Sequence, residues 1–378
     1  MKEFSKEEKL IYSFDTEVLI EIVKNLKSLN YKDIQYIPIN FSLLSFVKEH
    51  ENIFNIFMKK KHLLFYYSLF PNFYKIFLNK KQNICLKACF LNEYVSREDL
   101  IQIFSEKLLN RAKQGNIIHE ERNKIKFNLS FVPYGEHIFL RDFYESYKKF
   151  GFDKKTMKNT VWMGADSVIF AKFVKNYLKN NKFKNVIEIG SGTGIVIIST
   201  SEFVDKCKAV DINERAVEYT KLNIAINGIE NVDTIYSDLF QKVNGKYDLI
   251  LVNPWFIDIE KGGLEEAPFI IENLNEYLTE NGSCLMLLNS YVKNGKDTVY
   301  EYLKNFSKNS KYDFSLYTMG YSIETSRYKD YKKYNVDFCI SYNLVIKKNG
   351  KGNLSRYETS FFRKIRDFTF IKLYKIFK

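Results

Sequence analysis

The sequence predicts an α/β fold built on a mostly parallel, doubly wound sheet, preceded by a mainly helical N-terminal region. Three observations carry this. Val186-Ile-Glu188-Ile-Gly190-Ser-Gly192-Thr-Gly194 is an apolar strand running into three glycines at alternate positions, the pattern of a tight strand-to-helix turn that a ligand can approach closely. From there onward, apolar runs of strand length alternate with segments of helical period. Finally, Asp248-Leu-Ile-Leu-Val-Asn253-Pro254-Trp255-Phe256 ends a second apolar strand in a polar and aromatic cluster, and open α/β sheets bind ligands outside the carboxyl ends of their strands.

Taken in order, residues 1–82 read as a helical N-terminal region, in which Val18, Leu19, Ile22, Val23 and Leu26 share one helix face. The pattern changes over residues 83–150. Ser96 fits a helix N-cap with Asp99 three positions on, Glu106 to Gln114 makes a second helix stopped by Gly115, and strand-like runs follow at 117–119 and 124–132. Helix, helix, strand, turn, strand is a winged-helix-like order. The second helix of such a module can enter a nucleic-acid groove; its basic residues here are Lys107, Arg111 and Lys113, and a structural or protein-docking role is the alternative. Residues 151–348 carry the α/β alternation, with Asp166 expected to cap a helix. Strands are expected at 184–189, 207–211, 232–236, 247–252, 283–289, 313–320 and 337–346, and helices at 194–203, 213–227, 264–278 and 296–308. With no long helix between the last two strands, they should be antiparallel. Residues 349–378 read as a basic aromatic tail.

The glycine triplet alone leaves two cofactors open, because a nicotinamide fold also places an acidic residue about 20 positions downstream, where Asp211 stands. The nicotinamide fingerprint, however, needs glycine at 190, 192 and 195, and position 195 is Ile. With Glu188-x-Gly190-x-Gly192-x-Gly194, Asp211, Asp238 and Asn253-Pro254 in this order, the chain resembles the methyltransferase small domain family of class I S-adenosylmethionine-dependent methyltransferases over roughly 155–347. The resemblance implies a Rossmann-like, seven-stranded methyltransferase sheet with its last strand antiparallel. It implies that Glu188, Gly190, Gly192 and Gly194 hold the methionine end of S-adenosylmethionine, that Asp211 takes the ribose hydroxyls, that Asp238 meets the adenine amino group, and that the segment around Asp166 closes over the methionine end. Relatives carry Asn-Pro-Pro and then an aromatic; here Trp255 either replaces the second proline or follows its deletion, so Trp255 and Phe256 both stand as the stacking ring. Some relatives carry a winged helix upstream, and residues 132–142 resemble their linking strand.

An amide or exocyclic base nitrogen is a poor nucleophile because its lone pair is delocalised. If the Asn253 side-chain oxygen and the Pro254 carbonyl accept its two hydrogens, the nitrogen can pyramidalise and its developing positive charge is stabilised where it forms. An adjacent ring holds a planar target by stacking, worth about 1–3 kcal/mol for a nucleobase. The plain alternative is that Asn-Pro only ends the strand.

At 378 residues and 46% hydrophobic content the chain can bury two cores. Its net charge of +13 is concentrated: residues 347–378 hold ten basic and two acidic side chains. Such a stripe fits a polyanion, with a solvated helix and an interfacial membrane helix as alternatives. RNA is the expected substrate. A protein substrate, a small-molecule acceptor and a cofactor-binding regulator without turnover are the competing readings. Five scattered cysteines and a charged start point to a reducing cytoplasm, and the most apolar stretch, 62–78, is too interrupted to span a membrane. Cys85-x-x-x-Cys89 lacks a second pair and the four histidines lack ligand spacing, so a buried thiol pair is expected rather than a metal site. Tyr317, Tyr321, Tyr328, Tyr331 and Tyr334 either line a cleft or are ordinary surface residues.

Overall fold

The computed structural model describes residues 14–33, 79–142, 161, 163–254, 259–322 and 328–358. Trp162, Trp255, Phe256, the 34–78 stretch and residues 359–378 lie outside these, as do the side chains of 320–330, and with them the expectations placed there.

Helix α1 (Thr16–Ser28) is capped by the Asp15 carboxylate, which accepts from the Glu17 and Val18 amides at 3.0 and 3.1 Å. All five apolar residues expected on one face are buried. Helix α2 (Lys80–Cys85) widens into a π-turn up to Phe90. Strand β1 (Val95–Ser96), helices α3 (Arg97–Ile101) and α4 (Glu106–Gln114), and strands β2 (Ile118–Glu121) and β3 (Lys124–Phe127) follow, with the strands paired antiparallel in the order β1-β3-β2. Ser96 caps α3 and bonds Asp99 in return. The run expected as one strand over 124–132 is broken. Buried Asn92 donates to the Phe127 and Leu129 carbonyls and bonds Ser130, drawing the chain out of the first sheet. Residues 130–141 then form a separate hairpin, β4 (Ser130–Tyr134) and β5 (His137–Arg141), turned at Gly135 with φ 60°. The expected linking strand is thus a hairpin.

The larger sheet begins after helix α5 (Ala165–Asn180). It contains β6 (Asn185–Ile189), α6 (Ile195–Thr200), β7 (Lys206–Asp211), α7 (Glu214–Asn227), β8 (Val232–Tyr236), β9 (Tyr247–Val252), α8 (Ala267–Tyr277) and β10 (Leu278–Lys293). It ends with β11 (Lys296–Asp297), α9 (Thr298–Ser307), β12 (Tyr312–Ser322), α10 (Tyr328–Lys333), β13 (Val336–Lys348) and β14 (Leu354–Tyr357). Strand order is β14-β12-β13-β10-β9-β6-β7-β8. The seven expected strands are all present, and β13 runs antiparallel to both β10 and β12. Two short strands are added: β11 folds back on β10, and β14 pairs parallel with β12. The tail reading of 349–378 is therefore corrected at its start. Asp313 accepts from the Lys351 and Asn353 amides, both at 2.9 Å, and turns the chain back onto the sheet.

Strand order reverses between β6 and β9, which pair as far as Ile189 and Val252. That adjacency brings the glycine turn and Asn253 to one crevice, as a topological switch point requires. The N-terminal hairpin docks on α7 by an unusual route. Asn223 and Asn227 each accept from and donate to the backbone of a single β5 residue, Leu140 and Ile138 respectively. Four helical residues rise about 6 Å and two strand residues about 6.7 Å, so two amides one turn apart stand in for a neighbouring strand. Next to them, Asp142 takes the Arg215 guanidinium and the Tyr219 hydroxyl. Ala216, Tyr219, Leu222 and Ile226 of α7 share one apolar core with α1, α4 and the β1-β3-β2 sheet.

Candidate active site

Each glycine of the turn has a separate cause. Gly192 has φ 56°, and a Cβ there would meet no atom within 4 Å, so the positive φ rather than crowding calls for glycine. Gly194 has φ 74°, and a Cβ would stand 2.9 Å from Thr220 Cγ2, so this glycine lets α7 close on the turn. Gly190, with φ 75°, donates to Val210 O at 2.8 Å, and a Cβ on it would lie 3.8 Å from the Asn253 carbonyl. Two buried hydroxyls on the turn, Ser191 Oγ and Thr193 Oγ1, have no partner among the described residues.

Asn253 follows β9 directly. Its side-chain nitrogen donates to Ser167 Oγ at 3.1 Å, which fixes the amide, while its buried Oδ1 has no partner among the described residues. Buried polar oxygens are nearly always bonded, so an acceptor left open in a crevice fits a ligand's N–H. Pro254 is buried beside it. The Asp166 carboxyl is raised above the usual range by desolvation, opposed by the Ser167 and Asp166 amides and by Asn253. It does not cap α5 as expected, because Gly164 holds the N-cap position and Asp166 sits within the first turn.

Asp211 ends β7 and ties the turn down, with Oδ2 accepting from Gly192 N and Oδ1 from Asn213 N, both at 2.8 Å. Burial raises its carboxyl, and the Asn213, Gly192 and Ile212 amides oppose the shift. Asp238 is exposed in the turn after β8. Two neighbours went unread in the sequence. Ile212, next to Asp211 in the chain, is 59% exposed and offers an apolar surface. Glu266, at the start of α8, is raised first by crowding and then by Glu265, Asp238 and Asp211, which puts it on the same acidic wall. The only signal for it was Glu265-Glu266 ahead of a helix-starting Pro268. An acidic wall, an apolar platform and open acceptors fit a cationic nucleoside such as S-adenosylmethionine.

Glu188 stands behind the turn. It is 1% exposed and accepts from Ile197 N at 3.0 Å, so it braces the start of α6. Burial holds its carboxyl well above the usual range, with the Ile197 amide opposing and Asp211 adding to the rise. A carboxyl raised in the folded state binds more protons there than in the unfolded chain, so stability is full below the ordinary glutamate range and falls as pH climbs through the folded value. Glu188→Gln keeps an acceptor for Ile197 and removes the ionisation. Thermal unfolding of both proteins without cofactor, from about pH 4 to 9, should show the variant gaining on the wild type as pH rises. Parallel curves would contradict this.

The tyrosines do not act as one group. Tyr331 is buried, edge-to-face with Tyr291 at 6.1 Å, and shares a small core with Ile259. Tyr334 bonds Glu260 at 3.2 Å, and Tyr317 stacks on Tyr357 at 4.9 Å. In α4, Arg111 pairs with Glu21 of α1 and Lys113 with Glu120 of β2, so two of its three basic residues are engaged internally. Cys85 and Cys89 are buried side by side, and burial, then Cys85, pushes the Cys89 thiol up. No helix among the described residues is long and apolar enough to cross a membrane.

The methyltransferase small domain family matches residues 167–315. A chain of Methanocaldococcus jannaschii that bears the name "putative protein N5-glutamine methyltransferase" is 33% identical over 151 residues, covering 35% of this chain and 74% of that one. The ribosomal RNA small subunit methyltransferase C of Serratia proteamaculans is 28% identical over 155 residues, 40% of this chain and 44% of the relative. The release factor glutamine methyltransferase of Fusobacterium nucleatum is 27% identical over 169 residues, 44% of this chain and 47% of the relative. The chain thus spans less than half the length of the last two.

Proposed function

The chain belongs to the methyltransferase small domain family of class I S-adenosylmethionine-dependent methyltransferases, and from that premise we propose that it methylates an amino or amide nitrogen of a macromolecule, an RNA base before a protein side chain. Bound S-adenosylmethionine supplies a methyl group already activated by its sulfonium. What remains for the protein is to place the acceptor in line, exclude water and stabilise the charge that develops.

The observation that carries the nitrogen reading is the open, buried Oδ1 of Asn253, held in place through Ser167. In this reading it accepts one hydrogen of the target nitrogen and the Pro254 carbonyl the other, with Trp255 or Phe256 stacked on the target. Asp211, Asp238 and Ile212 take the nucleoside of the cofactor, the glycine turn and Asp166 its methionine end, and Glu188 supports the turn from behind. We read the described parts of 1–82 and of the winged-helix-like 83–150 as docked on the catalytic domain of 151–348, with the basic stretch beyond β14 as an RNA contact.

RNA is favoured by the net charge of +13 and its concentration toward the C-terminal end. Methylation of a protein glutamine is the second reading, favoured by the Methanocaldococcus jannaschii relative, of which this chain covers 74%. Labelled-methyl transfer into fractionated RNA and protein from cells lacking the protein separates them. Label in RNA is expected; label confined to glutamine side chains would replace the first reading with the second.

A further inference from the structure

Asn223 does more than pair with the hairpin. It is fully buried, and its carboxamide makes three hydrogen bonds: Oδ1 accepts from Leu140 N at 2.6 Å, and Nδ2 donates to Leu140 O at 3.1 Å and to Thr193 O at 2.8 Å. Thr193 lies in the glycine turn. One helical turn earlier, Thr220 Oγ1 donates to Gly192 O at 3.0 Å. Successive carbonyls of the turn are therefore held by residues i and i+3 of one face of α7. Asn227 pairs with β5 as Asn223 does, but its remaining bond goes to Asn223 O in its own helix at 2.9 Å.

The orientation of an amide is decided by its partners. With Leu140 N–H pointing at Asn223, only the oxygen can face it, because a flip would set donor against donor in a buried site. That choice aims Nδ2 at the two carbonyls, one on the N-terminal hairpin and one on the turn. If the hairpin leaves, the amide loses the two bonds that select its orientation, and Thr193 loses a partner held in place.

We infer that Asn223 is a positioning residue of the cofactor turn, through which the docked β4–β5 hairpin completes the cofactor site. The inference rests on the reading of residues 188–194 as that site. Coupling of this kind is reciprocal: hairpin docking favours cofactor binding, and the cofactor strengthens hairpin docking. The Leu140 and Ile138 amides report docking directly, since each donates to an asparagine of α7.

The test uses the full chain and S-adenosylhomocysteine, the demethylated product. In the wild type, saturating ligand should slow hydrogen exchange at the Leu140 amide at least about fivefold, the lower end of the usual range of coupling between sites. Asn223→Ala should weaken ligand binding about tenfold by calorimetry, raising the KM for cofactor while leaving kcat within about twofold. Asn227→Ala cuts the same number of bonds to β5 and none to the turn, so it should lose clearly less affinity than Asn223→Ala does. Unchanged Leu140 exchange on saturation overturns the inference, and so does equal affinity in Asn223→Ala and the wild type. The exchange measurement on the wild type decides the matter even if Asn223→Ala does not fold. If the wild type binds no ligand at all, the site reading fails instead.

Discussion

Replacing Asn253 with alanine is expected to cut methyl transfer about 10²–10³-fold, the loss seen when one preorganised partner of a developing charge is removed, while cofactor affinity stays within about twofold of the wild type. Asn253 Oδ1 is buried and unpartnered among the described residues, and its amide nitrogen is spent on Ser167. It therefore has one acceptor to offer a reacting nitrogen, and that contact grows stronger as positive charge builds there. An interaction made mainly in the transition state lowers kcat and kcat/KM together. Single-turnover transfer and calorimetry with S-adenosylhomocysteine measure the two quantities separately. A parallel loss of cofactor affinity would assign Asn253 to the architecture of the crevice.

Asp211→Ala is expected to weaken cofactor binding about a hundredfold, near 2.8 kcal/mol, with kcat at saturating cofactor little changed. Asp211 is positioned to act twice. Its two oxygens hold the amides of Gly192 and Asn213, each at 2.8 Å, and so lock the turn to the end of β7. Each oxygen also keeps a second lone pair for a hydroxyl of the ligand. Loss of contacts made equally in ground and transition states raises KM and spares kcat. Titration of wild type and variant, with thermal unfolding in parallel, tests this; equal affinities would remove Asp211 from the site.

The glycine turn and the strand-helix alternation were legible because both are local. A period of two or of 3.6, and a glycine where φ must be positive, leave their marks within a few residues. Asn253 was legible for a similar reason, since strand ends collect function in open sheets. What escaped depends on distant partners. The side on which Glu188 presents its carboxyl follows from the path of α6, and the charge Glu266 feels from Asp211 and Asp238 joins residues far apart in the chain. Asn223 and Asn227 carry no local mark of their role, in which one is fully buried and both substitute for a strand. The break at Asn128 escaped because the alternation of Ile125, Phe127, Leu129 and Phe131 continues through it while the backbone changes sheets.

Strand β14 is four residues long, yet it forms one edge of its sheet among the described residues, opposite β8, and shields β12 from Phe314 to Tyr317. An unpaired strand edge is a template for a second chain, and a short, charged border strand is one way proteins blunt it. Arg356 supplies that charge, reaching Asp297 Oδ2 at 3.4 Å, and Tyr357 lies flat against Tyr317. A chain shortened at Lys348 to remove the basic stretch would therefore also strip this border and bare the backbone of β12. Self-association of such a protein would then be mistaken for a loss of RNA contact. A cut after Glu358 removes residues 359–378 and keeps the border in place.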